Sequence, residues 1–282
     1  YLNIKLRLYL YYRMIRGCIF DLGGTLVDRY SATPLHTLKY IFKENNVSVS
    51  PKLISRGMGM NKRNHIQYIM NNPSVSRNWF QHRGSYASEE DIDDLFIRFN
   101  EVQFQKSKVI DILPETKQAI DLLKSRNILT GVTTGFDLPN TLAIKDQLDK
   151  NDIKIDSYVS SSCVLDEGRP NPSMIFRNME NLNINDPIRL IKFDDTGVGI
   201  TEGKNAGCWT VGVVKWSIYM EMYEMDDIMG ESLLHSSEYR EKVDKTKKMF
   251  YDHGADFVIH DLSELKETLD TIIHINLEEH GF

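Results

Sequence analysis

Along the chain, short apolar runs alternate with longer stretches in which apolar residues recur every three or four positions. Cys18-Ile19-Phe20 reads as the end of a first strand, and Gly23-Gly24 turns away from it. Residues 128–134 predict a second strand. A stretch over 114–126 precedes it, and there Ala119, Ile120, Leu122 and Leu123 suit one face of a helix. Residues 158–161, 190–193, 208–214 and 257–259 predict four further strands. Strands separated by helical stretches of this length imply an α/β fold with a parallel sheet and right-handed crossovers.

Residues 31–110 break that rhythm. They read as helical over 35–44, 51–70 and 91–108, with no good strand run, and residues 71–88, rich in Asn, Ser and Arg, read as loop. The expected organisation is a split core, 14–30 and 111–282, with a helical insert over 31–110. Residues 1–13 mix Leu and Tyr with Lys5, Arg7 and Arg13, which is no clean signal-peptide pattern. With Met14 next, they are expected to be extra sequence rather than a targeting leader. The charge-dense stretch 238–248 reads as a solvated helix face.

Composition narrows the function classes. Of the 282 residues, 41% are hydrophobic and 26% charged, an ordinary globular balance. A formal charge of −6 makes general nucleic-acid binding a poor expectation. No apolar run approaches the roughly 20 residues that cross a bilayer. Cys18, Cys163 and Cys208 are few, odd in number and far apart, so neither a disulfide framework nor a zinc-ligand spacing is expected. A reducing, cytoplasmic location follows as an expectation.

In an open α/β sheet, ligands bind at the carboxyl ends of the strands. The first strand ends in Asp21-Leu22-Gly23-Gly24-Thr25, the second in Thr133-Thr134-Gly135-Phe136, and the fourth in Asp194-Asp195-Thr196-Gly197; Gly168-Arg169-Pro170 follows the third. A carboxylate can attack phosphorus, paired carboxylates can hold a divalent cation, and Thr and Arg can hold phosphoryl oxygens. Taken singly, Asp before Gly-Gly is usually a turn, Asp-Asp-Thr-Gly a helix cap and Gly-Arg-Pro a surface loop. Their occurrence together, in order and each at a strand end, points to phosphoryl chemistry.

This order of motifs resembles the haloacid dehalogenase superfamily and, within it, the phosphonatase family. The resemblance runs from about Ile15 to Leu269 and includes the segments 205–213 and 254–257. It implies a Rossmann-like core with an inserted helical cap that closes over it. Two features select the subfamily. Gly23 stands where phosphatases of the superfamily carry a second Asp, the acid for an ester leaving group. In Met58-Gly59-Met60-Asn61-Lys62-Arg63-Asn64-His65, Lys62 matches the lysine that forms a Schiff base with an aldehyde substrate. Read alone, that lysine would be a solvated helix residue; beside Gly23 the two features explain each other.

The resemblance implies that Asp21 is the nucleophile, Lys62 the imine former and His65 a candidate proton donor. It assigns Gly24, Met58, Thr134, Gly135 and Arg169 to a small phosphonate, and Asp21, Asp195, Asp194 and the Gly23 carbonyl to Mg²⁺. Part of the superfamily has a further acid four positions after the metal Asp, where this chain has Gly199; Asp194 is the expected replacement. Phe136 stands where some relatives have Tyr, and Lys215-Trp216-Ser217-Ile218-Tyr219-Met220 lacks the Gly- and Asn-rich wording of the family. A homodimer through the cap is also implied. The competing expectations are a magnesium-dependent phosphate-ester hydrolase, a haloacid dehalogenase, and a non-catalytic binding protein that kept the fold.

Overall fold

A computed structural model describes residues 14–165, 168–223 and 236–278; residues 1–13, the subject of one expectation above, lie outside it. Six strands are described: β1 (Gly17–Phe20), β2 (Leu129–Thr134), β3 (Ser157–Ser160), β4 (Leu190–Asp194), β5 (Trp209–Val213) and β6 (Phe257–Ile259). All neighbouring strands pair in parallel, in the order β3-β2-β1-β4-β5-β6. This is the doubly wound α/β arrangement. The chain reverses its direction of winding at β1, so the carboxyl ends of β1, β2 and β4 frame one crevice. Strands β1 and β4 are buried along their whole length, as a sheet covered on both faces requires.

The insert that follows β1 holds five α-helices: α1 (Ala32–Glu44), α2 (Pro51–Arg56), α3 (Lys62–Met70), α4 (Pro73–Arg83) and α5 (Glu89–Ser107). Their buried Leu35, Leu38, Ile66, Ile69, Val75, Trp79, Leu95 and Phe99 belong to the same apolar cluster as the sheet. The remaining helices flank the sheet: α6 (Thr116–Ser125), α7 (Leu138–Lys150), α8 (Ser173–Leu182), α9 (Gly197–Ala206), α10 (Ser237–Asp252) and α11 (Leu265–Glu278). None of the described helices is long and apolar enough to cross a membrane.

Two expectations are corrected. Within 71–88, residues 73–83 are helix rather than loop. Asn72 caps α4 by accepting the Ser74 N–H, Pro73 occupies its first turn, and Gly84 ends it at φ 77°. The helix buries two side chains, Val75 and Trp79, four apart, and leaves Phe80 exposed. Composition therefore misled, while the start and stop residues were in place. Nor is 51–70 one helix. Gly57 closes α2, Gly59 adopts φ +89°, and Asn61 restarts the chain as α3 by accepting the N–H groups of Arg63 and Asn64. That break forms a turn, Gly57 to Asn61, directed at the core.

The insert joins the core through two segments that pair with each other. Val27 bridges Ile112, the Asp28 N–H donates to Asp111 O (2.8 Å), and Leu113 N–H donates to Leu26 O (3.0 Å). Asp28, Tyr30 and Ser31 adopt φ of 60°, 60° and 46°, unusual for residues with side chains. The Asp28 carboxylate secures this turn by accepting from the Thr33 N–H and hydroxyl. Trp216, from the loop after β5, packs on it: Arg29 lies 5.1 Å from the indole centroid and Tyr30 meets the ring edge-on at 5.5 Å.

Candidate active site

The crevice at the strand ends is closed by the turn between α2 and α3. A cavity of about 20 Å³ remains, lined by Asp21, Gly23, Ser31, Pro34, Met58, Gly59, Lys62, Thr134, Gly135, Phe136 and Thr196. That volume holds about one water molecule. The approach is backbone to backbone. A Cβ on Gly135 would stand 2.4 Å from Met60 O, and one on Gly59 would stand 2.5 Å from Thr196 Oγ1. Side chains at either position would hold the turn away from the strand ends.

The floor of the cavity is a buried lattice of charge. Asp21, just past β1, receives a hydrogen-bonded ion pair from Arg169 (2.8 Å). Arg169 also donates to Glu202 (2.9 Å), to Thr133 O (2.6 Å) and to the Thr133 hydroxyl (2.7 Å). Lys192, in the middle of β4, donates to Thr133 Oγ1 (2.8 Å) and pairs with Asp194 (2.9 Å). Asp194 accepts from the Thr196 N–H and hydroxyl at 2.9 and 2.7 Å. Burial pushes the Asp21 carboxyl above its ordinary range, against the pull of Arg169. Burial would raise Asp194 too, but Lys192 and Arg169 hold it below. Asp195 is pushed well up, by burial and then by Asp21 and Asp194.

Oxygens of Asp21, Asp194 and Asp195 lie within 4.8 Å of one another, all buried. The Asp195 Oδ2 atom has no hydrogen-bond donor. With Glu202, four buried carboxylates face two buried cations on the core side, Arg169 and Lys192. When all are ionised, the excess is the charge one divalent cation cancels. A set of hard oxygen donors with an orphaned carboxylate oxygen fits a magnesium-like ion.

The roof is sparer. Lys62 is the first residue of α3, 4% exposed, and its Nζ has the Met58 sulfur at 4.0 Å and the Phe136 ring centroid at 5.4 Å. Burial pulls its ammonium down to about 8, with Asp21 acting to raise it. Its place at a helix N-terminus acts in the same direction as burial.

The expected residues separate into three groups. Asp21, Gly23, Met58, Lys62, Thr134 and Gly135 meet in the cavity. Arg169, Asp194 and Asp195 stand directly behind its floor. Gly24 and His65 do not take their expected places. The Gly24 N–H is used in the turn, donating to Val27 O and Asp28 O, and so is not free for a phosphonate oxygen. At φ +71°, with Asp195 Oδ2 2.2 Å from where its Cβ would be, Gly24 instead gives Asp195 room. His65 is fully buried behind the turn, against Gly57, with Nε2 2.8 Å from Ile54 O. Burial and the Lys62 charge push its pKa down to about 3. A neutral ring whose N–H is given to Ile54 supports the turn and is no proton donor to the cavity.

Lys192, Glu202 and Ser31 were missed. A lysine inside an otherwise apolar run, in a strand buried on both faces, was the available signal for Lys192. Glu202 and Ser31 carried no comparable signal.

Comparison with known proteins gives the family and the fold. Residues 18–213 match the model of the haloacid dehalogenase-like hydrolases. The chain is 30% identical to a phosphonoacetaldehyde hydrolase of Bacillus mycoides, over 94% of this chain and 98% of that one. It is 29% identical to the enzyme of the same name from Bacillus cereus, over 92% and 96%. Among solved structures, a phosphonoacetaldehyde hydrolase like protein from Oleispira antarctica superposes with a TM-score of 0.88 at 25% identity, covering 93% of this chain and 94% of that one. A β-phosphoglucomutase from Clostridium difficile shares the fold, with a TM-score of 0.64 at 18% identity, covering 94% and 99%.

Proposed function

The chain belongs to the haloacid dehalogenase-like hydrolases, and from that premise we propose that it cleaves the carbon–phosphorus bond of phosphonoacetaldehyde, giving acetaldehyde and phosphate. One observation carries the reading: a buried lysine with a depressed pKa shares a cavity with a buried aspartate, and the acid position between them is a glycine, Gly23. An ester hydrolase needs an acid for its leaving oxygen. A carbon leaving group needs an electron sink instead, and an imine on Lys62 is one.

In the proposed sequence, neutral Lys62 Nζ attacks the aldehyde carbon, one proton is taken up from solvent and water leaves, forming a protonated imine. Asp21 then attacks phosphorus, the carbon–phosphorus bond breaks, and its electron pair moves into the imine to give an enamine. A proton returns to carbon, and water hydrolyses both the aspartyl-phosphate and the imine. Asp21, Asp194 and Asp195 would hold Mg²⁺, which when bound neutralises charge between the nucleophile and the phosphonate. Arg169, which pairs with Asp21 in this structure, would pass a donor to a phosphonate oxygen. Thr134 lines the cavity beside it. A substrate larger than the cavity enters only after the turn over residues 57–61 withdraws.

The test is incubation with phosphonoacetaldehyde and magnesium, with and without borohydride. Phosphate and acetaldehyde should appear in equal amounts, and borohydride should stop turnover by reducing an adduct that peptide mapping finds on Lys62. Fast phosphate release from simple phosphate esters, with none from phosphonoacetaldehyde, would replace this reading with that of an ester hydrolase.

A further inference from the structure

Gly199 is the third residue of α9, and its N–H donates to the capping hydroxyl of Thr196 (3.3 Å). It lies in ordinary helical backbone that any residue can adopt, since it is not among the glycines with positive φ. Glycine in a helix is unfavourable relative to alanine. Backbone freedom therefore does not explain it, and space does. A Cβ built at this position would lie 1.9 Å from Asp194 Oδ2, 2.0 Å from its Cγ and 2.3 Å from Oδ1. The whole carboxylate group occupies the volume where a side chain at 199 would begin.

We propose that Gly199 is a positioning residue of the acidic cluster: by lacking a side chain, it leaves the space through which the Asp194 carboxylate reaches Asp21 and Asp195. Four contacts hold the carboxylate there, from the Thr196 N–H, the Thr196 hydroxyl, Lys192 and Arg169. Asp194 and Asp195 are 0% exposed, and Asp195 Oδ2 has no hydrogen-bond donor in the cluster that Asp194 completes. A methyl group at 199 cannot be accommodated by a small adjustment, because the atoms it meets are themselves enclosed. The carboxylate would have to leave the cluster. Strand end and helix turn thus compete for one volume, and only one of them can hold a side chain there.

The inference rests on the cluster being a cation site. Its test is Mn²⁺ binding to the substrate-free full chain, followed by electron paramagnetic resonance, through a double-mutant cycle. Gly199→Ala should weaken Mn²⁺ binding by about 10- to 100-fold, the range for groups that orient metal ligands. Asp194→Gly should weaken it comparably. In the Asp194→Gly background, Gly199→Ala should change affinity by less than about twofold, because nothing is left to displace. If Gly199→Ala fails to fold, Asp194→Gly/Gly199→Ala should fold, and that rescue supports the same coupling. Wild-type affinity in Gly199→Ala overturns the inference, and so does an equal loss in both backgrounds or a double variant that also fails to fold. No phosphonate enters the experiment. A chain that binds Mn²⁺ as stated yet leaves phosphonoacetaldehyde intact defeats the proposed reaction and leaves this inference standing.

Discussion

Directly behind the floor of the cavity, Arg169, Lys192 and Glu202 share Thr133 and two aspartates among them. In the roof, Lys62 has a thioether and a ring face for company. The floor cross-pairs carboxylates with cations, and its carboxylates move in opposite directions: Asp194 is held low while Asp21 and Asp195 are driven up. The roof withholds pairing, and Lys62 moves toward neutrality. The same chemical problem, charge out of water, is thus met by ion pairing on one side and by a ready amine on the other. The difference matches two tasks: holding an anion beside a cation, and attacking a carbonyl.

The largest effect should come from separating the two halves. Asp21→Asn removes the nucleophile and should lower phosphate release by about 10⁴-fold or more. The roof should still form its imine, so borohydride should trap substrate on Lys62 at close to the wild-type yield. Loss of trapping in this variant would mean that floor and roof are not separable. Lys62→Met is the reciprocal case. It should abolish trapping and lower turnover by about 10³-fold, while Mn²⁺ titration of the floor stays unchanged.

The next effect concerns the lattice alone. Glu202→Gln leaves Arg169 and Lys192 short of a buried counter-charge. Thermal and urea denaturation should report a loss of about 3 kcal/mol, and turnover should fall by about 10- to 100-fold through a misplaced Arg169. Trapping on Lys62 should persist. A variant as stable as wild type would show that Glu202 is not a member of the lattice in solution.

The smallest effect is a pH profile, and its sign follows from the roof. Only the neutral amine attacks, and the Lys62 pKa is lowered to about 8. Below that value, the initial trapping rate should fall about tenfold per pH unit as the amine protonates; above it, the rate should level off. A profile still rising steeply at pH 10 would return Lys62 to the ordinary lysine range and remove the contrast with the floor.

Legibility followed the same division. Strand-end chemistry could be read because short apolar runs announce β1, β2 and β4, and their last residues must face the crevice. Asp21, Thr134 and the Asp194-Asp195 pair were found that way, and Arg169 in the loop after β3. The roof was harder. Residues 51–70 carry helical periodicity throughout, and the break at Gly57–Asn61 is set by close approach to Gly135 and Thr196, a contact between distant parts of the chain. His65 was misjudged for a related reason: spacing put it on the Lys62 face, whereas the turn folds back and spends its N–H on Ile54. Gly24 looked like a ligand-binding glycine because sequence cannot show that its N–H closes the turn. Gly199 and Asp194 illustrate the limit most clearly. The exchange between them can be suspected from residue types, but the shared volume is a fact of three dimensions.

The loop after β5 carries one more consequence. The chain has three tryptophans, and two of them, Trp79 and Trp209, lie away from the turn that joins core and insert. Trp216 alone rests on that turn, with a guanidinium over its face and a phenol at its edge. The junction therefore carries its own optical reporter. In a chain whose other two indoles are replaced by phenylalanine, any swing of the insert that shifts Arg29 or Tyr30 should appear as a change in emission, readable in a stopped-flow trace without a label.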